Sequence, residues 1–296
     1  MTALAVARSS LATSLIRYSR SWGLWLLLLI ALIGTRFWVP RDDGTTIVIA
    51  VGNQIPVMTP AMLGLSLGIV VSTLLLPVGY IYLRSNTTRR QPWQVEEVTA
   101  ASRVAIALGR FGADVAMLFT VLGALTLAGW FLAWRMIPAD EVNLGEVTLA
   151  LWLVAAPAVM GLAAIRILFD ALPPLRRALG DFVYFIIWMA SIAAPASMDD
   201  RPPSFAANMV DFAGFVRPMV FGAPAGDHDF QIGGAEVEPG RVPLDVMAGL
   251  MSPGYVDSRL AWAAIAVTLA AVAGLIYRPH RLPKRSKHPS RLARWL

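Results

Sequence analysis

Six long apolar stretches constrain the fold of this chain more than any other feature of its sequence. A helix needs about 20 apolar residues to cross the hydrocarbon of a bilayer. Stretches of about this length occur at 22–39, 61–83, 112–134, 147–169, 179–196 and 260–277. Apolar residues make up 57% of the chain, and they are concentrated in these blocks. We therefore predict an all-α integral membrane protein with six transmembrane helices.

The basic residues predict the direction in which the six helices cross. Lys and Arg are more frequent in cytoplasmic loops than in outer loops. When both termini are placed inside, most arginines and both lysines lie on the cytoplasmic side. Residues 1–280 then form the membrane domain, with 197–258 as a long extracytoplasmic loop. Residues 281–296 form a basic cytoplasmic tail, for which we expect contact with anionic lipid rather than nucleic acid.

The first 21 residues combine Leu, Val and Ile side chains with Arg8, Arg17 and Arg20. This pattern is typical of an amphipathic helix that lies on the inner membrane interface. An unstructured polar terminus is the alternative that the sequence leaves open. The apolar stretch 22–39 is longer than the core of a signal peptide, and no small-residue cleavage site follows it. The sequence therefore predicts an uncleaved first span.

Several kinds of chemistry lack the residues that they require. The chain has no cysteine, and His228, His280 and His288 all lie outside the apolar stretches. No lysine precedes Lys284, so a phosphate-binding GxxxxGK[ST] loop cannot form. We therefore predict that the chain is not an enzyme and holds no cofactor of its own. Any ATP that drives it must be hydrolysed by another chain.

Charged residues flank the inner ends of the third and fourth spans. Arg110 and Asp114 are four residues apart, as are Arg166 and Asp170, and this spacing puts both members of each pair on one helix face. A charge at membrane depth costs at least ~2.5–3.5 kcal/mol unless it is paired or hydrated. The four residues are candidates for an inner gate whose ion pairs exchange partners. Self-paired charges at the headgroup level are the alternative.

Prolines and glycines mark further features of the spans. Pro77 and Pro157 can kink their helices, and such kinks serve either a moving gate or a static shape. Glycines on span faces permit close contact between helices. Those in question are Gly64, Gly68, Gly123 and Gly161.

Two segments on the predicted outer side have patterns of their own. Residues 45–60 alternate loosely and contain Gly52-Asn53, which favours a short hairpin. The loop 197–258 exceeds the length of most loops, and its Phe, Val and Met residues indicate partial folding. We expect it to cap the mouth of the membrane domain or to contact an outer partner.

The cytoplasmic stretch RRQPWQVEEVTAASR, residues 89–103, interrupts the apolar pattern between the second and third spans. Pro92 favours the first position of a helix. Glu96 and Glu97 lie near the N-terminal end of that helix, where its dipole favours anions. Trp93 adds a stiff apolar side chain of the kind that anchors interfaces. The stretch predicts a short helix suited to a protein socket, and an ordinary surface helix is the alternative.

The text RRQPWQVEEVTAASRVAIALGRFGADV, with its elements Ser102-Arg103 and Leu108-Gly109-Arg110, resembles the type-2 ABC exporter (ABC-2-like) permeases. The N-terminal helix and the six spans resemble that family as well. The resemblance implies a bacterial inner-membrane protein, a separate ATPase subunit that uses ATP and Mg, and a second permease copy or homologous permease. By position, the coupling helix that docks on the ATPase would consist of Trp93, Gln94, Val95, Glu96, Glu97 and Val98.

The expected function is therefore that of a permease subunit in an ATP-driven exporter. A membrane scaffold or assembly protein, which binds partners without transport, is the alternative. The spans carry few polar groups, which favours a large hydrophobic or amphipathic cargo over a small ion. The loop 197–258 is longer than the simplest members of the family carry, so the cargo and any extracytoplasmic partner stay open.

Overall fold

The computed structural model of the chain describes residues 2–39, 48–51, 53–88, 101–197, 202–224, 230–233, 238 and 240–277. Among these residues, five helices are long and apolar enough to cross a membrane, or six if a bent pair near the N-terminus counts as one span. The chain is thus a helical, membrane-embedded protein. The predicted coupling residues 93–98 and the tail 281–296 lie outside the described residues.

The bounds of the elements follow in chain order. The described α-helices are α1 (Ala3–Ser19), α2 (Trp22–Trp38), α3 (Pro60–Val70), α4 (Leu76–Thr88), α5 (Arg103–Met136), α6 (Leu144–Ala171), α7 (Ala178–Ala196), α8 (Phe205–Met209), α9 (Val216–Gly222), α10 (Val246–Leu250) and α11 (Tyr255–Ile276). A π-helical turn, Val71–Leu75, joins α3 to α4, and a 3-10 turn, Pro173–Arg176, precedes α7. The strands are β1 (Val48–Val51), β2 (Ile55–Pro56), β3 (Phe230–Gly233) and β4 (Arg241–Val242).

α1 packs against α5 through a face of small and polar side chains. Ser10, Ser14 and Tyr18 are buried there, whereas Leu4 and Ile16 are exposed. α1 meets α2 at an angle of 69°. A helix over these residues agrees with the sequence prediction, while its amphipathic character and its position on the inner interface stay predictions.

The second span is one continuous helix with a local change of geometry. It begins at Pro60, and the hydroxyl oxygen of Thr59 accepts a hydrogen bond from the Met62 backbone N–H at 3.2 Å. The π turn lies directly before Pro77, whose missing N–H interrupts the regular ladder. Pro157 lies inside α6 without ending that helix. Only the first of the two prolines therefore adjoins a π turn.

α5 and α6 form an antiparallel pair held by two reciprocal polar contacts. Trp130 Nε1 donates to the Thr148 hydroxyl at 2.9 Å, and Trp152 Nε1 donates to the Thr126 hydroxyl at 3.0 Å. Each helix thus supplies one donor and one acceptor. Hydrogen bonds between membrane helices contribute about 0.6 kcal/mol on average, so the pair fixes alignment more than stability.

Two glycines let α3 approach α6 closely. A Cβ atom at Gly64 would lie 2.4 Å from the Val147 carbonyl oxygen, and one at Gly68 would lie 2.8 Å from Val154 Cγ1. Only residues without a side chain fit this contact, as the sequence predicted for these two positions. Gly123 differs, because a Cβ there would meet nothing within 4 Å.

The two predicted outer segments pair with each other. β1 pairs with β3 in an antiparallel register, and β2 pairs with β4 in a parallel register. The chain reverses near Asn53, which has a φ of 60°, and the isolated bridge Val51–Gln54 spans this reversal. The predicted hairpin 45–60 is therefore present as a reversal, while its strands take their main partners from the loop 197–258.

Candidate functional site

A buried arginine of α6 connects three helices. Arg166 Nη1 lies 2.8 Å from Asp114 Oδ2 on α5, and its Nη2 lies 3.2 Å from Asp170 Oδ2 one turn along α6. The Tyr18 hydroxyl of α1 donates to Asp114 Oδ1. The side chains of Asp114 and Arg166 are 1% and 3% exposed, so each charge is balanced by the other rather than by water. We call these four residues the inner cluster.

The inner cluster joins positions that the sequence treated as separate pairs. Arg166 and Asp170 have the i, i+4 contact that their spacing predicts. Asp114 is also paired with Arg166 across the helix interface, a contact that spacing along one helix cannot reveal. Arg110 is buried one turn before Asp114. Three of the four candidate gate residues, Asp114, Arg166 and Asp170, thus meet in one place. The predicted Arg110–Asp114 pair and the exchange of partners stay predictions.

Polar contacts continue from the inner cluster towards α4 and α7. Arg176 Nε donates to the Asp170 carbonyl oxygen at 2.6 Å. Arg84 Nη2 donates to the Arg176 carbonyl oxygen at 3.0 Å, and Arg84 forms an ion pair with Asp181 at the start of α7. The Asp181 side chain is 54% exposed, so this end of the network lies at the edge of the bundle.

A second polar cluster surrounds residues 211–214, which we call the buried turn. Its four consecutive carbonyl oxygens each accept a hydrogen bond from a side chain, so none depends on water. The bonds are Arg259 Nη1 to Asp211 O (2.5 Å), Arg259 Nη2 to Phe212 O (3.0 Å), Ser72 Oγ to Ala213 O (3.0 Å) and Tyr255 Oη to Gly214 O.

The carboxylate of Asp211 closes the buried turn from within. It accepts hydrogen bonds from the backbone N–H groups of Gly214 at 2.7 Å and of Arg217 at 2.9 Å. Asp211, Arg217 and Arg259 are all fully or almost fully buried. Gly214 has a φ of 87°, and a Cβ there would lie 2.8 Å from Arg259 Cζ. Backbone geometry and space therefore both require glycine at this position.

The buried turn contacts the second span and α6 away from their ends, and it contacts α11 at its first turns. Ser72 lies about 18 Å along the helix that begins at Pro60, at 1.5 Å per residue. Arg259 Nη2 also donates to the Val154 carbonyl oxygen within α6, at 3.4 Å. Non-helical backbone at membrane depth is tolerated only where it is buried in protein and its polar groups are satisfied. The buried turn meets both conditions.

The π turn and the first residue of α4 each supply an acceptor for α7. Trp188 Nε1 donates to the Ser72 carbonyl oxygen, and the Tyr184 hydroxyl donates to the Leu76 carbonyl oxygen, each at 2.9 Å. Most of α7 is otherwise exposed. These two bonds therefore fix the position of α7 along the second span, beside the contact between Ser72 and the buried turn.

The Phe212 side chain of the buried turn packs against α6 at Gly161. A Cβ at Gly161 would lie 2.4 Å from Phe212 Cε2. We predict that Gly161→Leu lowers the free energy of unfolding by about 1–3 kcal/mol, as overpacking typically does. Gly123→Leu is the matched control, because it adds the same side chain where nothing lies within 4 Å. Both variants are measured by an unfolding titration in mixed micelles. An equal loss of unfolding free energy for the two would contradict the close packing of Phe212 against Gly161.

Sequence reasoning assigned Asp211, Arg217 and Arg259 to the outer side and did not select them. Their burial depends on donors and acceptors from distant helices. One signal was present, because the stretch FAANMVDFAGFVRPMVFG at 205–222 is more apolar than a water-exposed loop requires. The span predicted at 260–277 did not include Arg259, yet α11 already begins at Tyr255.

The fold and these clusters define a helical membrane-embedded protein with charges buried between its helices. Comparison of the chain with family models, curated proteins and solved structures finds no match. Within the part of the chain that the structure describes, no three His, Cys, Asp or Glu side chains form a group that could hold a metal ion.

Proposed function

We propose that this chain is the membrane-spanning permease subunit of an ATP-driven exporter, while a separate subunit hydrolyses ATP. In this proposal α2, the α3–α4 helix, α5, α6, α7 and α11 are the six spans. Both termini lie on the cytoplasmic side of a bacterial inner membrane. A second permease copy or a homologous permease completes the translocation path.

The inner cluster is the observation that carries this proposal. α5 follows closely on the segment 89–100, and Asp114 joins it to Arg166 of α6. At the start of α5, Arg103 Nη1 donates to the Tyr277 carbonyl oxygen, next to the end of α11, at 3.1 Å. A displacement of the segment would therefore pass through α5 to α6 and α11. Such a connection is what a permease driven from its cytoplasmic face needs.

Buried charge favours a permease over a static scaffold. An ionisable side chain at membrane depth costs at least ~2.5–3.5 kcal/mol unless it is paired or hydrated, and such residues typically mark transport pathways or relays. A scaffold that only binds partners does not need the pair of Asp114 and Arg166 to separate or exchange. A permease can use them, because ion pairs between helices can hold one state and release it in another.

The energy for transport must come from outside this chain. No lysine precedes Lys284, so no phosphate-binding loop precedes the basic tail. We assign docking of the ATPase to the segment that contains Trp93, Glu96 and Glu97. A tryptophan next to two glutamates is better suited to binding a cleft of another protein than to binding an anionic lipid surface.

We predict that replacing Trp93, Glu96 and Glu97 together with alanine removes a copurifying ATPase. The measurement is purification of the tagged full chain in mild detergent, followed by mass spectrometry and an assay of ATP hydrolysis. The wild-type preparation is expected to contain a nucleotide-binding chain and to hydrolyse ATP. The triple variant is expected to lose both while its insertion and yield are unchanged.

Trp134→Ala is the control for this experiment, because it removes an exposed tryptophan near the end of α5 that is farther along the chain from the segment 89–100. It should retain the ATPase. The docking role is contradicted if the triple variant keeps the ATPase as well. A wild-type preparation without any nucleotide-binding chain would contradict the proposed function itself.

A further inference from the structure

We propose that a groove between α2, the second span and α5 binds one acyl chain of a bilayer phospholipid. The proposal rests on membrane embedding alone and is independent of the permease role. The groove has a volume of about 180 Å³. Its walls include Leu27, Ala31, Thr35, Leu74, Val78 and Val121.

The walls of the groove call for an apolar ligand. Thr35 is the polar residue among them, and its hydroxyl already donates to the Leu32 carbonyl oxygen at 3.1 Å. A bound water needs two to four polar partners, and these walls do not supply them. Hydrocarbon is therefore the chemistry that the groove accepts.

The lining residues of the groove extend along two helices. The groove follows α2 from Leu27 to Thr35 and the second span from Val70 to Val78. Each of these segments extends about 12 Å at 1.5 Å per residue. A volume of about 180 Å³ spread over that length matches a single chain better than a ring or a bulky side chain.

The surroundings of the groove identify the bilayer as the source of this chain. Ile30 and Val78 line the groove and are 51% and 45% exposed, so they form its rim. Leu29 and Ile33 continue the exposed apolar surface on α2. Lipid tails are as apolar as leucine, so a protein side chain would gain no hydrophobic energy by displacing them. A phospholipid tail is therefore the occupant to which we commit.

An acyl chain in the groove would support the irregular part of the second span. The π turn contributes Leu74 and Leu75 to the groove. An empty groove would leave these side chains without dispersion contacts on one side. A bound tail restores those contacts and holds α2 against the π turn.

Photolabelling tests the proposal. The full chain is reconstituted into vesicles of phosphatidylethanolamine and phosphatidylglycerol that contain a phospholipid with a diazirine in the middle of its acyl chain. After illumination, labelled peptides are located by mass spectrometry. The label is expected to concentrate on the groove walls of α2, the second span and α5 rather than on the exposed face of α7.

Tryptophan substitutions at the rim provide the decisive comparison. Val78→Trp places a large side chain across the groove and is expected to abolish labelling of its walls. Ile81→Trp is the matched control, because Ile81 lies on the same helix, is 66% exposed and does not line the groove. Its labelling should equal that of the wild type. If Val78→Trp does not fold, Ile30→Trp replaces it. This variant blocks the groove from α2 and is likewise expected to abolish labelling of the groove walls.

Three outcomes would overturn the proposal. The first is label spread evenly over the exposed faces of α2 and α7. The second is unchanged labelling of the groove walls in the folded rim variants. The third is the absence of label on the groove walls of the wild type, together with a Val78→Trp variant that elutes as a smaller species on size-exclusion chromatography. That result would show that a second copy of the chain covers the groove.

Discussion

Arg259→Ala is expected to lower the free energy of unfolding by about 2–6 kcal/mol, since it leaves the buried carbonyls of Asp211 and Phe212 without donors at about 1–3 kcal/mol each. The loss of a guanidinium that is 1% exposed also leaves a cavity next to Gly214. Unfolding in mixed micelles, followed by tryptophan fluorescence, measures the change. The effect is large because one side chain supports two successive peptide groups.

Two further variants isolate the geometry of this contact. Arg259→Lys retains the charge but replaces a planar fork with a single ammonium group, so it is expected to recover only part of the loss. Arg135→Ala removes an exposed arginine at the end of α5 and should change stability by less than about 0.5 kcal/mol. A loss for Arg259→Ala no larger than that for Arg135→Ala would refute the support of the buried turn by Arg259.

The apolar stretches predicted the long helices well because the signal is local. The stretch 147–169 corresponds to α6, Leu144–Ala171, and 179–196 corresponds to α7, Ala178–Ala196. The length of an apolar run depends only on neighbouring residues. The ends extend further because capping residues act outside the run, as Asn143 does by accepting hydrogen bonds from the first backbone N–H groups of α6.

The predicted start of α5 was nine residues too late, in a part of the helix that contains charged residues. The apolar stretch began at 112, whereas the helix begins at Arg103 and includes Arg110 and Asp114. The hydropathy pattern ended the stretch before Arg110, although 112–134 already contained Asp114. The helix accommodates Asp114 because Arg166 of α6 forms an ion pair with it. The sequence around Asp114 does not indicate a partner that lies on another helix.

The buried turn was not predictable for a similar reason. Its carbonyls are satisfied by Ser72 from the second span and by Tyr255 and Arg259 from α11. These donors are far apart in sequence, and each has an ordinary local explanation. Only their convergence on residues 211–214 turns a predicted outer loop into a buried element.

A double-mutant cycle on Asp114 and Arg166 is expected to give the largest coupling energy between side chains of the inner cluster. Arg166→Gln should cost about 3–5 kcal/mol, because it leaves the buried Asp114 carboxylate without a cation. Asp114→Asn should cost less, because Arg166 keeps its contact with Asp170. The double variant should cost less than the sum of the two by at least about 1–3 kcal/mol. Unfolding in mixed micelles again provides the measurement.

The pair Arg84–Asp181 is the matched control for this cycle. It joins the same residue types between two helices, but the Asp181 side chain is 54% exposed. Exposed pairs typically contribute about 0.2–1 kcal/mol, so its coupling should fall in that range. Equal coupling for the two pairs would show that burial does not strengthen the contact between Asp114 and Arg166.

The size of the coupling also limits how an inner gate could work. If the buried pair is coupled by several kcal/mol, simple separation of Asp114 and Arg166 would leave the Asp114 carboxylate between the helices without a cation. A gate at this place must then offer replacement partners during the movement. Asp170 already contacts Arg166, and the Tyr18 hydroxyl already contacts Asp114, so each charge keeps one partner when the other is withdrawn. The Tyr18→Phe variant would remove that support from Asp114 alone, and it should raise the cost of separating the pair without changing the contact between Arg166 and Asp170.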